Sequence, residues 1–553
     1  SYYAAIYDTE RLALVIVRRT GSDLTELGSV LVLVAASPVT LELRAEGASP
    51  TRLEATLTDA GGRLHRVAAT DASPGLQRPG DPGVLATART LLPSGNPVLP
   101  ALGNLHLLPY GVQEGQAFLQ TPVGEAFLGE IRRRSTVAFR EIEVSSAERG
   151  RPTKPSVVAA TTGVPFARGA RLHVAADVPA RVEIELSRSR RFRRVRRVDA
   201  GRTGDFDAVT KGVGRLPAGG RVYWRARLHR RGRWTRGPVR SFRVPPRAGS
   251  RRAVTLAVGS CGAQFGPIFD HLAERRPDVF VWQGDLNYPD THGPLAQTMA
   301  GYAGIWRDFL ANPRLAPVLE RACFAGQRDD HDYGLQDANS TNIPARGVAP
   351  WDALLGERPY YRFAAGLVEV WVLDQRRFKS DPEQPDTPDK TLLGLRQRRW
   401  LLRTLRASRA PFKVICSPCT LLMKGNVRDG SWANRYTAER ELILERIASR
   451  VSGRTIFLTG DTHLTAVHDG GERFEARAAP IDIPTPNDVT LVDPLAAVTL
   501  ANTPGIAYTS DRGHFSLLEV RGHRGAATMD ITLVRQDGAT PYAKRFEHPL
   551  TTS

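Results

Sequence analysis

Four short polar segments in the second half of the chain constrain its fold more than any other feature. They are Gly259-Ser260-Cys261, 284–288, 329–332 and 460–463. At least three of them come directly after an apolar run of the kind that forms a buried strand. Because ligand sites in open α/β sheets gather at the carboxyl ends of strands, we expect their thiol, carboxylate, phenol and imidazole groups to meet. Such a set of groups is typical of a metal site.

Strand and helix patterns alternate after residue 250, which is the pattern of parallel-sheet units. The predicted strands are 253–258, 278–282, 368–373, 412–415, 455–459, 515–520 and 528–534, and the predicted helices are 265–272, 392–405 and 436–449. We therefore predict that 250–553 form one α/β domain.

The first 250 residues instead show short alternating strand patterns between turns. Residues 1–150, with runs such as 31–34 and 40–44, are predicted to form a β-rich domain of unknown role. Residues 151–249 are predicted to form an immunoglobulin-like or fibronectin-like β-sandwich. Its strand patterns lie at 171–174, 181–185, 222–228 and 241–244. Pro- and Gly-rich segments at 145–155 and 244–249 are predicted to be linkers.

The length of 553 residues suits about three domains of ~150 residues each. The longest apolar stretches, such as Val30 to Ala36, fall far short of the ~20 residues that cross a bilayer, so we expect no transmembrane helix. Ser1-Tyr2-Tyr3 show no signal peptide in this numbering, which leaves localisation open.

The net charge of +19 comes from 76 basic residues, of which only 7 are lysine. Such an arginine skew is also typical of a GC-rich genome, so the overall charge does not by itself predict a polyanionic partner. Arginine clusters at 188–197 and 229–240 could steer a phosphate-bearing substrate, but we favour a solvated strand face and turn. No recognition helix, zinc finger or aromatic RNA-binding motif is present, so a sequence-specific nucleic-acid partner is not expected.

The four cysteines are too few for a disulfide scaffold in so long a chain. Cys416 and Cys419 form a CxxC pattern that suits a redox pair, a disulfide or half of a zinc site. No second CxxC accompanies it. We favour buried structural roles for Cys323, Cys416 and Cys419.

Carboxylates that converge at one sheet edge repel one another unless cations neutralise them. Asp285 is placed to bridge two metals ~3.5–4 Å apart, the spacing used in phosphoryl transfer. A thiolate from Cys261 and a phenolate from Tyr288 favour trivalent iron at the first metal. Asp330 and Asp461 offer hard oxygens for calcium or another hard divalent ion.

At these four segments the chain resembles the PhoD-like alkaline phosphatase and phosphodiesterase family, a branch of the calcineurin-like metallophosphatases related to purple acid phosphatases. The resemblance covers about 160–548, and 306–310 and 432–440 support it. It implies a four-layer α/β (α+β) sandwich in which two mixed β-sheets lie face to face, flanked by helices and preceded by β-sandwich domains.

The resemblance also implies the site. Cys261, Asp285, Tyr288 and His463 would surround Fe³⁺, and Asp285 would be shared with one or two Ca²⁺ ions held by Asp330 and Asp461. Other divalent metals are compatible with these ligands. His331 would lie beside the phosphate and stabilise the transition state or protonate the leaving alkoxide, which makes His331 and Asp330 the expected catalytic residues.

The implied activity is metal-dependent hydrolysis of phosphoric mono- or diesters by a metal-activated hydroxide, with an anionic polymer as a further candidate substrate. The implied location is secreted, periplasmic or in the cell envelope. Two alternatives are a non-catalytic binder of phosphorylated envelope polymer and a structural or attachment protein with an incidental phosphatase domain. The intact Asp285, Asp330, His331 and His463 argue against the first of them.

Overall fold

The structure, a computed structural model, describes two compact units, Ser1–Glu148 and Arg149–Ser553. The described residues are 2–8, 13–20, 23–31, 40–46, 51–58, 64–71, 154–262, 266–291, 298–356, 358–423, 430–478, 480–482, 500, 503–523 and 525–550. The strand pattern at 32–34 and most of the predicted linker at 145–155 lie outside them.

The first unit contains two antiparallel three-stranded sheets in its described part. One sheet comprises β1 (Tyr2–Asp8), β2 (Ala13–Thr20) and β3 (Asp23–Leu31), and the other β4 (Thr40–Glu46), β5 (Thr51–Thr58) and β6 (Leu64–Asp71). Both sheets bury apolar side chains, among them Ile16 and Leu53.

The second unit begins with two antiparallel sheets that form a β-sandwich. Their strands are β7 (Val157–Phe166), β8 (Gly169–Ala176), β9 (Arg181–Ser187), β10 (Arg196–Arg202), β11 (Ala208–Val213), β12 (Arg221–Arg230), β13 (Arg233–Arg236) and β14 (Arg240–Arg243). One sheet has the order β11-β8-β7, and the other the order β10-β9-β12-β13 with β14 also paired to β12. Alternate residues of β9 and β12 point inward, and the indole of Trp224 donates a 2.9 Å hydrogen bond to the Thr162 hydroxyl.

Two mixed sheets follow. The six-stranded sheet has the order β17-β16-β15-β25-β26-β27 and the seven-stranded sheet the order β18-β19-β20-β21-β23-β22-β24. Their strands are β15 (Val254–Gly259), β16 (Val279–Gln283), β17 (Cys323–Gln327), β18 (Tyr361–Ala365), β19 (Val368–Val372), β20 (Phe412–Ser417), β21 (Arg454–Thr459), β22 (Thr465–Gly470), β23 (Arg473–Arg477), β24 (Ile506–Ser510), β25 (His514–His523), β26 (Ala526–Arg535) and β27 (Tyr542–Pro549). The inner faces share one core, in which Val258 and Val281 of one sheet belong to the same buried cluster as Val370 and Val414 of the other.

Helices cover the outer faces of both sheets. These are α1 (Ile268–Arg275), α2 (Met299–Ala311), α3 (Ala316–Leu319), α5 (Val348–Leu354), α6 (Gly394–Ala407) and α7 (Thr437–Arg450), whereas the short helix α4 (Asp330–Tyr333) follows the end of β17. Helices α1, α2 and α5 bury apolar side chains against the six-stranded sheet, and α6 and α7 do so against the seven-stranded sheet. The order helix, sheet, sheet, helix confirms the predicted four-layer fold. None of the described helices is both long and apolar enough to span a bilayer.

The predicted linker at 244–249 is irregular in structure but firmly held. Val244 is fully buried, and the amide of Gly249 donates a 2.8 Å hydrogen bond to the carbonyl of Gly366. Buried residues of the β-sandwich and of the two mixed sheets form one continuous cluster. The sandwich therefore packs directly on the α/β part.

Candidate metal centre

The candidate site lies where four strands end. Cys261 follows β15, Asp285 follows β16, Asp330 follows β17 and Asp461 follows β21. Because β15, β16 and β17 are parallel neighbours, their carboxyl ends meet at one edge. The face-to-face packing of the sheets brings the end of β21 to the same place.

The backbone is in the left-handed region at the key positions. The φ angles are 57° at Cys261, 58° at Asp285, 42° at Tyr288, 70° at Asp461 and 49° at His463. Non-glycine residues seldom adopt this conformation, and it persists only where surrounding contacts hold it. Such a concentration of strained residues is typical of a functional site.

Gly284 is the point where two of these loops come closest. Its φ is +91°, and a Cβ built on it would overlap the Cβ of Asp329. Only glycine combines this φ with so close an approach. The glycine therefore allows Asp285 to lie directly beside the segment that carries Asp330.

Asp332 ties these loops together. Its carboxylate accepts hydrogen bonds from the amides of Asp285 at 2.7 Å, Leu286 at 3.0 Å and Asp329 at 2.9 Å. Burial raises the pKa of Asp332 to about 7, although the three amides favour its ionised form. Asp332 is thus a positioning residue, and it is absent from the predicted site.

Three groups of potential metal ligands overlap in this region. In each group the ligand atoms lie within 4.8 Å of one another. The groups are Cys261 with Asp285 and His463, Asp285 with Asp330 and His331, and Asp329 with Asp330 and Asp461. Tyr288 adjoins the first group, because its hydroxyl lies 2.7 Å from Nε2 of His463. The structure therefore brings together all the residues for which the sequence predicts a metal or catalytic role, and it adds Asp329.

The carboxylates of this cluster fit a cation. Asp285 Oδ1, Asp329 Oδ2 and Asp330 Oδ1 are buried and accept no hydrogen bond. A buried charge without a partner is costly, and burial, followed by the Asp330 carboxylate, raises the pKa of Asp285 well above its usual value. A bound cation reverses this effect. The donor set accordingly fits metal ions, with sulfur, phenol and imidazole at one end and carboxylates at the other.

The protonation of the softer ligands is coupled to metal binding in the same way. Burial raises the pKa of the Cys261 thiol and of the Tyr288 phenol well above their ordinary values. These groups ligate as anions, so a metal must displace their protons. Burial lowers the pKa of His463 to about 4, which favours the neutral imidazole that metals bind.

Arg376 is a buried cation within the cluster that sequence reasoning missed. Its guanidinium donates to the carboxylate of Asp329, donates a 2.7 Å hydrogen bond to Asp461 and lies 3.6 Å from Asp330 Oδ1. Burial by itself raises the pKa of Asp330, but Arg376 and then His331 outweigh it and hold that pKa at about 2. The sequence did contain a signal for this residue, because a basic side chain comes shortly after the apolar strand β19.

His331 has a carboxylate partner that the sequence analysis also missed. Its Nδ1 lies 2.9 and 2.8 Å from the two oxygens of Asp290, which follows Tyr288 by two residues. Burial by itself lowers the pKa of His331, but Asp290 and then Asp330 outweigh it and raise that pKa well above the usual value. Asp290 therefore fixes the orientation of His331 and favours its protonated form.

The remaining sequence candidates lie outside this cluster. Cys323, Cys416 and Cys419 are free thiols and buried, in keeping with structural roles. No group of potential metal ligands in the described part of the chain includes Cys416 or Cys419. The seven arginines of 188–197 are exposed on a turn and the start of β10.

Comparisons with known proteins agree with this geometry. Residues 336–484 match the family model described as PhoD-like phosphatase. The chain is 28% identical over 307 residues to alkaline phosphatase D of Bacillus subtilis (strain 168), a match that covers 44% of this chain and 52% of that protein. The chain thus spans about half the length of this curated relative.

Two solved structures share the fold. The structure of PhoD aligns with a TM-score of 0.56 at 17% identity and covers 73% of this chain and 92% of that chain. Purple acid phosphatase PPD1 from yellow lupin (Lupinus luteus) seeds aligns with a TM-score of 0.53 at 11% identity, covering 72% and 75%. At these identities the likeness shows the metallophosphatase fold.

Proposed function

Because this chain belongs to the PhoD-like phosphatase family, we propose that it hydrolyses phosphoric esters with the help of metal ions bound at the strand ends. The observation that supports this best is the chain of overlapping ligand groups, in which Asp285 and Asp330 are each shared by two groups. Three of the carboxylate oxygens there are buried without a hydrogen-bond donor. This is the arrangement that two adjacent cations require.

We propose distinct tasks for the two ends of the cluster. Cys261, Tyr288 and His463 would hold a ferric ion, because thiolate and phenolate are electron-rich donors. Asp330 and Asp461, joined by Asp329, would hold calcium or another hard divalent ion, and Asp285 would bridge. When bound, these metals supply positive charge that polarises a phosphoryl oxygen and makes water more acidic.

The protein side chains would supply the proton for the leaving group and hold the carboxylates in position. Protonated His331 would donate a hydrogen bond, and in the end its proton, to the leaving ester oxygen. Asp290 holds Nδ1 of His331, so the donation falls to Nε2. Arg376 would hold the carboxylates of Asp329 and Asp461 in place. On the family resemblance we also propose a secreted or cell-envelope location.

The test compares hydrolysis of bis-p-nitrophenyl phosphate and of p-nitrophenyl phosphate, with and without chelator, while metal content is measured. Asp285→Asn should lose bound metal and activity together. Asp199→Asn, which alters an exposed carboxylate paired with Arg181, is the matched control and should keep both. Full activity in purified Asp285→Asn would refute the proposal, and a metal-loaded but inactive wild type would favour the non-catalytic binder. The ratio of the two substrates ranks diesterase against monoesterase.

The colour of the purified protein tests the iron assignment separately. Charge transfer from thiolate or phenolate to Fe³⁺ should give a brown or purple protein. Cys261→Ser should shift this absorption band. A colourless, active protein without iron would overturn the assignment of iron while leaving the hydrolase proposal in place.

A further inference from the structure

A large cleft separates the β-sandwich from the seven-stranded sheet and helix α6. Its volume is about 1510 Å³, and β7, β8, β11, 358–362, 377–378 and α6 line it. It lies within the second compact unit. No residue of the metal cluster lines this cleft, so it is a separate feature of the surface.

The lining of the cleft is strongly basic. It includes seven arginines and no acidic residue among the described residues. Arg171 donates to the carbonyl of Gly356 and Arg362 pairs with Glu369. The other five, at 358, 377, 396, 399 and 403, are exposed, and no described carboxylate pairs with them.

Three of these arginines form a row on α6. Arg396, Arg399 and Arg403 are spaced three and four residues apart, so they share one helix face over ~10 Å. Like charges at this spacing destabilise a helix. An anionic ligand with more than one charge would relieve that repulsion.

Aromatic rings alternate with the arginines. Tyr360, Phe378 and Trp400 line the cleft and are half-buried, with 4.9 Å between the ring centroids of Tyr360 and Trp400. On the opposite wall Phe166 is 37% exposed. Guanidinium groups interleaved with aromatic rings are typical of surfaces that bind single-stranded nucleic acid, because phosphates pair with the former and bases stack on the latter. A polyol phosphate has no planar ring that would use these side chains.

The lining of the cleft includes residues at the metal-centre end of the seven-stranded sheet. Tyr361 at the start of β18 pairs with Val372 at the end of β19, which is the strand end that leads to Arg376. Arg376 is buried against the carboxylates of the cluster, whereas the next residue, Arg377, is exposed and lines the cleft. A chain held in the cleft would therefore pass close to the metal centre.

We propose that this cleft binds single-stranded nucleic acid without sequence preference, so that a phosphodiester chain extends from the metal centre across the arginine row of α6. The assignment of the nucleic-acid strand as a substrate rests on the proposed hydrolase function. The binding of that strand in the cleft does not depend on it.

The test measures binding of a fluorescent, cleavage-resistant phosphorothioate oligothymidylate of about 12 nucleotides to the metal-loaded protein by anisotropy at several salt concentrations. The combined variant Arg396→Ala, Arg399→Ala, Arg403→Ala should bind ~10–100-fold more weakly, and its salt slope should shrink by about 2, at ~0.7 per phosphate contact on a single strand. The matched control replaces Arg190, Arg191 and Arg193 by alanine, which removes the same charge from the exposed turn of the sandwich. It should bind like the wild type.

A second probe separates bases from phosphates. An abasic oligonucleotide of the same length and charge should bind at least ~10-fold more weakly, because it cannot stack on the aromatic rings. Equal binding of the two probes would overturn the assignment to nucleic acid in favour of a phosphate chain without bases. Equal loss of affinity in the cleft variant and the control variant would overturn the cleft as the site.

Hydrolysis of bis-p-nitrophenyl phosphate keeps the two proposals distinguishable. It should be unchanged in the cleft variant, because that small diester does not reach α6. Oligothymidylate binding without any ester hydrolysis would refute the proposed function and leave the cleft proposal standing. Ester hydrolysis without oligothymidylate binding would refute the cleft proposal and leave the proposed function standing.

Discussion

The ion pair between His331 and Asp290 offers the sharpest test of the chemistry. Both side chains are almost buried, at 6% and 11% exposed, and Nδ1 lies 2.8 Å from the nearer carboxylate oxygen. Asp290→Asn keeps the shape and removes the charge. Because Asp290 is the strongest of the groups that raise the pKa of His331, the variant should lose its protonated imidazole at a lower pH than the wild type.

The size of the effect follows from the geometry. An opposite charge in direct contact moves a pKa by about 1–3 units. Metal ions bound at Asp285 and Asp330 would offset the charge of those two carboxylates, so the loss of the Asp290 charge should lower the pKa of His331 toward its ordinary range. The alkaline limb of kcat should therefore move to lower pH. Above the limb the variant should be ~10–100-fold slower, and below it the two enzymes should be alike.

The assay is the pH dependence of kcat at constant metal content, for a phenyl ester and a p-nitrophenyl ester. The phenyl ester should lose more activity, because phenolate needs a proton to leave and nitrophenolate does not. His331→Gln should abolish the limb, and Asp199→Asn should leave it unmoved. If the limb persists in His331→Gln, or does not shift in Asp290→Asn, the role given to His331 is wrong.

Three further perturbations test packing and buried charge, two at the metal centre and one in the β-sandwich. Gly284→Ala should cost at least ~3 kcal/mol and reduce metal content, because the new Cβ meets Asp329; a thermal unfolding midpoint equal to that of the wild type would contradict the clash. Arg376→Leu should lower the free energy of unfolding of the chelated protein by about 3–5 kcal/mol, since the buried Asp329 and the partly buried Asp461 lose their partner. Added calcium should restore part of this stability, and an unchanged urea midpoint would contradict the reasoning. Glu185 has a lowered pKa, because burial, which by itself raises it, is outweighed by Arg225 and other arginines. The carboxylate of Glu185 thus stabilises the protein at pH values above the ordinary pKa of glutamate, and this stabilisation is lost as the pH falls through the lowered pKa. Glu185→Gln should therefore be less stable than the wild type by ~1–2 kcal/mol near neutral pH, and the difference in stability should disappear in acid. A difference that persists in acid would refute the linkage.

The strands that sequence reasoning found are those with long apolar runs. Buried strands such as Val254–Gly259 and Arg454–Thr459 follow their predicted bounds closely, because a strand covered on both faces is apolar throughout. Cys323–Gln327 and Tyr361–Ala365 were missed. They are five residues long and contain Gly, Gln or Arg, and neighbouring strands hold them in place. The helix Met299–Ala311 was missed although its buried residues have helical spacing, a signal that was present in the sequence.

The sequence by itself predicted which chemical groups lie together at the strand ends, because thiol, carboxylate, phenol and imidazole follow strands whose ends must meet. It also predicted the four-layer fold and the resemblance to the PhoD-like family. Only the tertiary structure decided which charged side chains of the site pair with one another. Arg376 reaches Asp461 across 85 residues and His331 reaches Asp290 across 41, and no local pattern encodes contacts between such distant positions. The same holds for the arginine cleft, whose two walls come from separate sheets and become one surface only when the sandwich packs against the α/β part.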